Sequence, residues 1–333
     1  MSREQGAPFA LQAARKEYCM IRYTITENKA LTPIDAKQKG CWVSLIAPTE
    51  EEILEVSNVF DVDPEALRAA LDPEERSRIE TDEKYTMILV NIPTIVTANQ
   101  KELYDTIPLS VILTADSVIT VCSQHSPILR QFEENKVKDF STAMRSRFLL
   151  QILFRVDSLY LQYLRSIDKR SEQVEAQLHR STKNRELIEL LRLEKSLLYF
   201  STSLRSNEMV LEKMLRIDSV KKYPEDEELL NDVIVENKQA IEMAAIYSGI
   251  LSGTTDAFAS IISNNLNIVM KVLAVITIVM AIPTIIFSAY GMNVNPAGMP
   301  FATSPAGFAI ILAIAAGISA VIGFILAKLN MLR

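Results

Sequence analysis

The residues best placed to do chemistry stand where a long apolar stretch ends, as Gly291, Met292 and Asn293. A side-chain amide carbonyl is an uncharged hydrogen-bond acceptor, and Mg²⁺ gives up its water shell reluctantly and is usually bound through retained waters. Asn293 carbonyls from several copies of the chain would bind the waters of a hydrated cation without touching the metal. The sequence therefore predicts an outer-sphere metal site at Asn293 and a selectivity filter formed by all three residues.

Polar residues before the filter share one helical face. Thr277, Thr284 and Ser288 are separated by seven and four residues, and steps of about 3.6 residues lead back to Asp256, the last acid of the chain. Such hydroxyls often bond to the carbonyls of their own helix, but an aligned series that ends near Asn293 favours a pore lining. The predicted lining, in which Met270 and Ala281 are apolar constrictions that could gate by dewetting, consists of Asp256, Ser260, Ser263, Asn267, Met270, Thr277, Ala281, Thr284 and Ser288.

Two apolar stretches must carry this face across a membrane. Ile268–Ala289 has 22 residues with one charge and Phe308–Ala327 has 20 with none, and about 20 apolar residues suffice to cross the hydrocarbon core. The basic residues Lys271, Lys328 and Arg333 flank the ends away from the connecting loop, and the positive-inside rule places those ends in the cytoplasm. We therefore predict a two-pass protein of the cell membrane with both termini cytoplasmic. Its parts are a first membrane helix at about 268–290, an outer loop at 291–307, a second membrane helix at 308–328 and a tail at 329–333.

Two helices cannot enclose an aqueous path through a lipid bilayer. A chain that conducts ions must therefore form a ring of identical subunits, each of which gives one helix to the pore. Small residues of the second stretch suit close packing around the outside of such a ring, although an alanine-rich anchor helix has a similar composition. These small residues are Ala313, Gly317, Ala320 and Gly323.

The charge of the chain belongs to its first three quarters. The net charge is −6, and residues 257–333 contain no Asp or Glu, so the negative charge lies in the part before the membrane. Binding to nucleic acid is therefore not expected. The cysteines Cys19, Cys41 and Cys122 lack the spacing of a metal site and are expected to be reduced thiols.

Neither of the two histidines has a catalytic partner nearby in the sequence, and no phosphate-binding motif is present, so we predict no enzyme activity and no organic cofactor. A membrane potential of about 100 mV supplies roughly 2.3 kcal/mol per charge, which is enough to drive cations passively.

The part before the membrane is predicted to be cytoplasmic and of mixed structure. Residues 1–17 form a loosely ordered leader, and 18–125 form an α/β domain in which Thr49 and Glu52 make a helix-capping box and Asp63 opens a short helix. Residues 126–222 form a helical hairpin from Phe140–Glu175 and Asn184–Leu215. The segment 223–290 forms one unbroken stalk helix, from about 226 to 290, that becomes the first membrane helix. The predicted strands are Met20–Ile25, Cys41–Ile46, Tyr85–Ile92 and Ile107–Val121.

Tyr290–Asn293 at the end of the penultimate helix, together with Asn267–Leu273 at its entry to the membrane, resembles the CorA-type family of magnesium and divalent-cation channels. The resemblance implies an α+β cytoplasmic domain, long α-helices and a two-helix transmembrane hairpin, assembled as a funnel-shaped homopentamer. It also implies that the first membrane helices line the pore, that Leu273 belongs to this lining, and that Asn293 holds hydrated Mg²⁺. The expected function is passive, channel-type influx of divalent cations, chiefly Mg²⁺, with Co²⁺ and Ni²⁺ as further ions.

The sequence departs from the family pattern in the outer loop. Many relatives carry an acid after Met-Pro, whereas Met299-Pro300 is followed here by Phe301-Ala302. Electrostatic capture of cations outside the membrane should therefore be weaker.

A second departure concerns regulation, because the family closes when intracellular Mg²⁺ binds acids between neighbouring cytoplasmic domains. Asp232 on the long helix resembles one side of that site, whereas the partner region at Arg68–Ala70 has no acid in register. Asp72 is the nearest candidate for the second ligand, so Mg²⁺ is expected to be both the transported and the regulatory ion. Both acids also fit ordinary solvated charges on a helix surface.

Two other functions remain open at this point. A zinc transporter of the same superfamily would share the architecture, although the polar face has no His, no Cys and no carboxylate beyond Asp256 for tight inner-sphere binding. A membrane-anchored scaffold that conducts nothing would share the hairpin but would not need Asn293.

Overall fold

The computed structural model describes residues 20–27, 30–98, 101–178, 184–217, 224–293, 295, 298–301 and 304–329. Contacts divide the chain into an N-terminal unit, residues 1–253, and a C-terminal unit, residues 254–333. The architecture is an α+β domain, then long helices, then two apolar helices, as the sequence predicts. The predicted leader (1–17), Cys19, His179, Ala302 and the last tail residues (330–333) lie outside the described residues.

The N-terminal unit is built on one seven-stranded sheet with the order β2-β1-β3-β7-β6-β5-β4. The two central strands β3 and β7 are parallel, and every other neighbouring pair is antiparallel. The strands are β1 (Met20–Glu27), β2 (Ala30–Ile34), β3 (Trp42–Ile46), β4 (Arg78–Thr81), β5 (Tyr85–Ala98), β6 (Lys101–Thr114) and β7 (Val118–Cys122).

The strand predictions locate β1, β3 and β5 correctly, but the predicted single strand Ile107–Val121 is wrong. It is two antiparallel strands, because a tight turn between β6 and β7 reverses the chain. In this turn the backbone N–H of Thr114 donates to the carbonyl of Ser117 (3.0 Å), and the hydroxyl of Thr114 accepts from the N–H of Ser117 (3.1 Å). The short strands β2 and β4 were not predicted, since the first contains Pro33 and the second is mostly polar.

The helices of the N-terminal unit and the membrane segment follow the predicted order. α1 begins with the predicted capping box of Thr49 and Glu52, and α2 begins after Asp63 and continues as a 3-10 turn at Ala69–Leu71. The helices are α1 (Glu50–Phe60), α2 (Pro64–Arg68), α3 (Pro127–Glu133), α4 (Arg145–Leu178), α5 (Asn184–Met214), α6 (Pro224–Tyr290) and α7 (Gly307–Lys328).

Both faces of the sheet are covered by apolar side chains. One face packs on α1 and α2 through a buried cluster that includes Ile53, Leu67 and Ile119. On the other face the buried ring of Trp42 meets Phe148 edge to face at 5.1 Å, and its Nε1 donates to the hydroxyl of Thr120 (2.9 Å). The predicted core position of Trp42 is thus confirmed. Cys41 and Cys122 are free and buried, and burial raises the pKa of Cys122 to about 11. Such burial in an apolar core is typical of structural cysteines.

The hairpin of α4 and α5 is attached to the sheet by polar contacts. Asn207 of α5 accepts from the backbone N–H of Asn91 (2.9 Å) and from the hydroxyl of Ser77 (2.9 Å), and it donates to the carbonyl of Asn91 (2.8 Å). Tyr160 of α4 donates to the same carbonyl (3.0 Å). These bonds satisfy the backbone N–H and C=O of Asn91 on β5 with side chains from two helices.

The long helix α6 has 67 residues and continues through Pro283. The predicted unbroken helix from about 226 to 290 is therefore confirmed. In the N-terminal unit, α6 buries one face at helical spacing, through Leu230, Val233, Asn237, Ala240 and Ala244.

Candidate cation pathway

Asn293 lies just beyond the last helical hydrogen bonds of α6. The N–H of Gly291 donates to the carbonyl of Phe287 (2.9 Å), and the N–H of Met292 donates to the carbonyl of Ala289 (3.4 Å). Gly291, Met292 and Asn293 are all exposed, so the predicted filter residues are accessible in the chain. The carboxyl end of a helix carries the negative end of the helix dipole, which favours a cation at this position.

A hydrogen bond joins the residue before the predicted filter to the following loop. The hydroxyl of Tyr290 donates to the backbone carbonyl of Pro300 (2.8 Å). The loop then turns at Phe301, which has a positive φ of 60°, and its carbonyl lies 2.1 Å from the position that a Cβ at Gly307 would occupy. Gly307 is therefore required there by close backbone approach. The sequence identifies Tyr290 only as part of the motif Tyr290–Asn293, although an aromatic hydroxyl at the end of a helix is a signal for such a contact.

One face of α6 in the C-terminal unit is packed on α7. Val275 is buried, Val279 and Ile286 are partly buried, and Cγ2 of Val279 lies 3.6 Å from the Cβ position at Gly323. On α7 the small residues Gly307 and Ala315 are buried. The predicted small residues Ala313, Gly317 and Ala320 are exposed, whereas Gly323 is partly buried and lies against Val279.

The polar stripe of α6 points away from this packed face. At about 100° per residue, Thr277, Thr284 and Ser288 lie on the side of the helix opposite Val275 and Val279. Nine of the ten predicted lining residues are exposed, and Ala281 is partly buried. The exposed ones are Asp256, Ser260, Ser263, Asn267, Met270, Leu273, Thr277, Thr284 and Ser288.

The hydroxyl groups of the stripe are set to accept hydrogen bonds. Thr277 donates its hydroxyl hydrogen to the carbonyl of Leu273 (2.8 Å), and Thr284 donates to the carbonyl of Met280 (3.0 Å). This is the back-bonding that sequence reasoning weighed as the alternative to a pore lining. The two interpretations are compatible, because a hydroxyl that has donated its only hydrogen still offers oxygen lone pairs. Water bound to a cation donates hydrogen bonds outward, so such oxygens suit a hydrated cation.

The predicted regulatory acids lie on different elements of the chain. Asp232 is exposed on α6, and Asp72 is exposed after the 3-10 turn, where it accepts from the N–H of Glu74 (2.9 Å). In the part of the chain that the structure describes, no group of three or more His, Cys, Asp or Glu side chains could hold a metal ion. Arg68, in the region that lacks the family's acid, pairs with Glu50 (2.8 Å) and Glu65 (2.6 Å).

Two of the described helices, Pro224–Tyr290 and Gly307–Lys328, contain stretches long and apolar enough to cross a membrane. These two helices, and the polar face of oxygen acceptors that ends at Asn293, are the features of a membrane transporter of cations. The sequence model of the family described as "CorA-like Mg2+ transporter protein" matches residues 37–328. The chain therefore belongs to this family of transporters, as the motif predicts.

Individual relatives agree with this assignment. The chain is 26% identical over 276 residues to the cobalt/magnesium transport protein CorA of Methanocaldococcus jannaschii, which covers 82% of this chain and 85% of the relative. It is 24% identical over 308 residues to the cobalt/magnesium transport protein CorA of Thermotoga maritima, covering 90% and 85%. The complete structure of the CorA magnesium transporter from M. jannaschii superposes with a TM-score of 0.78 at 23% identity, over 92% of this chain and 97% of that one.

Proposed function

We propose that the chain forms a homopentameric channel in the cell membrane for passive influx of divalent cations, chiefly hydrated Mg²⁺, with Co²⁺ and Ni²⁺ as further ions. The observation that carries the proposal is the polar stripe on α6, which lies opposite the face packed on α7 and ends at the exposed Asn293. A face that carries hydroxyl and amide groups and lies opposite the face packed on α7 would be costly in lipid. Copies of α6 around a common axis would turn this face to water instead.

The chemistry of the stripe supports a hydrated ion. Thr277 and Thr284 offer only acceptor oxygens, because their hydrogens are bonded to helix carbonyls. Asn293 adds a carbonyl next to the negative end of the α6 dipole. Residues 257–333 contain no Asp, Glu or His, so the membrane part offers no strong inner-sphere ligand for zinc.

Charge bears on both the cytoplasmic end of the path and the driving force. A ring of Asp256 carboxylates would concentrate cations at the cytoplasmic end, since both termini are proposed to be cytoplasmic. A divalent ion gains about 4.6 kcal/mol from a 100 mV potential, which is twice the roughly 2.3 kcal/mol per charge. No energy source beyond the potential is required for influx.

Closure by intracellular Mg²⁺ is proposed to use Asp232 of one subunit and Asp72 of a neighbour. Both carboxylates are exposed, and neither forms an ion pair within the described residues. Two carboxylates with retained waters are an ordinary site for Mg²⁺.

The test is cation flux in proteoliposomes under an imposed potential, with Asn293→Ala against wild type. We expect Mg²⁺ flux to fall at least about tenfold, since the variant loses the carbonyl that binds the hydration shell. Asn265→Ala is the matched control, because Asn265 is exposed but lies two residues from Ser263 and from Asn267, on the other side of the helix. Undiminished flux in Asn293→Ala would favour a non-conducting scaffold or another pathway, and Zn²⁺ flux that excess Mg²⁺ leaves unchanged would favour the zinc transporter.

A further inference from the structure

A cavity in the N-terminal unit is lined by basic side chains. It has a volume of about 430 Å³, between the loop that follows α3, one face of α4 and the start of α6. This volume is in the range of small-molecule sites, roughly 300–1,000 Å³. No Asp or Glu of the described residues lines it, and its polar lining consists of Lys136, Lys138, Arg147, Gln151 and Arg155.

Among the described residues, the side chain of Arg155 contacts neutral partners. Its Nη1 donates to Oε1 of Gln131 (2.8 Å), and its guanidinium lies 5.7 Å from the centre of the Phe132 ring. Burial lowers the pKa of Arg155, because the cation is partly removed from water. Within the described ranges Arg155 forms no ion pair that would compensate this loss of hydration.

Arg147 and Gln151 bring polar atoms that lack partners. Nε of Arg147 and Oε1 of Gln151 are buried, and neither has a hydrogen-bond partner in the described part of the chain. The spacing of four residues places Arg147, Gln151 and Arg155 on one face of α4. A buried donor without an acceptor is unfavourable, so this face is suited to a bound acceptor.

Nearby carboxylates neutralise only part of the charge. Lys136 pairs with Glu134 (2.5 Å), and the charge of Asp226 acts on Arg147 without an ion pair between them in the described residues. Glu225 also lines a neighbouring pocket together with Arg147 and Asp226, so four lining cations less three carboxylates leave one positive charge. Walls of low dielectric strengthen the field of such charges inside a cavity.

We propose that this cavity binds an oxyanion of the phosphate class. Arg147 and Arg155 would donate to its oxygens, Lys138 would add charge, and Oε1 of Gln151 would accept from a P–OH group. Guanidinium groups suit phosphate oxygens because their N–H donors form a planar fork. Leu229 belongs to the long helix α6, so the ligand would also contact that helix. The site binds an anion and is independent of the cation pathway proposed above.

The test is calorimetric titration of the full-length protein in detergent, in buffer without Mg²⁺. Inorganic phosphate is titrated in one arm and ADP in the other, to separate a free phosphate from a phosphoryl group carried by a nucleotide. We expect binding in at least one arm, and Arg147→Gln with Arg155→Gln should weaken it about 100-fold through loss of two charge-assisted donors. Lys169→Gln, an exposed cation on the same helix, should leave the affinity unchanged.

Tighter binding of ADP assigns the site to a nucleotide, and equal or weaker binding of ADP assigns it to free phosphate. The proposal is overturned if wild type binds neither, or if the folded double variant binds as tightly as wild type. If the double variant does not fold, Arg155→Gln alone decides, with an expected loss of about tenfold.

Discussion

Replacement of Asp157 by Asn should make the protein more stable at alkaline pH. Asp157 of α4 is 3% exposed, and it accepts one hydrogen bond from Nδ2 of Asn237 in α6 (2.9 Å). Oδ1 of Asn237 is buried without a partner in the described part of the chain. A protonated Asp157 would supply the missing donor, and so would the amide of Asp157→Asn. The carboxylate has no hydrogen to donate to Oδ1 of Asn237, so the charged form of Asp157 is the unfavourable one.

The magnitude follows from the shift in acidity. Burial raises the pKa of Asp157 from 3.8 to about 8, the bond from Asn237 opposes this, and the charge of Glu236 raises the pKa further. The nearby Tyr160 is itself fully buried and stays neutral, since its pKa is also raised. The folded protein therefore binds this proton more tightly than the unfolded chain, so the contribution of Asp157 to stability falls as the pH rises from about 4 to about 8. At about 1.4 kcal/mol per unit, the loss over this window is on the order of 5 kcal/mol.

The assay is thermal unfolding of the full-length protein in detergent between pH 5 and pH 9, followed by the fluorescence of Trp42 in the core of the same unit. Asp157→Asn should unfold about 10–20 °C above wild type at pH 8 and only a few degrees above it near pH 5, since 1 kcal/mol is worth about 2–4 °C at this size. Asp168→Asn, at a partly exposed position on the same helix, is the matched control and should keep the wild-type pH dependence. If Asp157→Asn unfolds at the wild-type temperature at pH 8, or keeps the wild-type slope, the buried carboxyl is not the cause.

Two further predictions concern transport. Tyr290→Phe loses the bond to the carbonyl of Pro300 but keeps the ring, so Mg²⁺ flux in proteoliposomes should fall about three- to tenfold with unchanged assembly; equal flux would show that the loop does not support the filter. Asp232→Ala should weaken the protection from proteolysis that Mg²⁺ gives, shifting its midpoint to higher Mg²⁺ by about tenfold, with the exposed Glu242→Ala on the same helix as control. Identical protection in Asp232→Ala would exclude Asp232 from sensing.

Features encoded by local pattern could be predicted from the sequence. The long helix was predictable because acidic residues mark its first turn and no strong helix-stop signal follows before Tyr290. The capping box at Thr49 depends on two residues three apart and was also found. The polar stripe that precedes Asn293 follows from the helical period alone. Its position opposite α7 could be assigned only once the structure showed which face of α6 packs on α7.

Features that depend on neighbours distant in sequence could not be predicted. The turn between β6 and β7 is hidden because apolar residues continue on both sides of it. The contact of Asp157 with Asn237 joins residues 80 apart, and the basic cavity combines a loop with two helices. The bond from Tyr290 to Pro300 likewise exists only once the loop has folded back.

The back-bonded hydroxyls of α6 have a consequence for how ions would be distinguished. The hydroxyl hydrogens of Thr277 and Thr284 are donated to carbonyls of their own helix. A pore wall of such groups would therefore present only oxygen lone pairs to a passing ion. Ligand softness, which normally ranks the first-row divalent metals, has no influence on an ion that keeps its waters. The wall would sort ions by the size of the hydrated particle and by how firmly each metal keeps its shell. Two metals with similar shells would then compete as equals, whatever their own coordination chemistry.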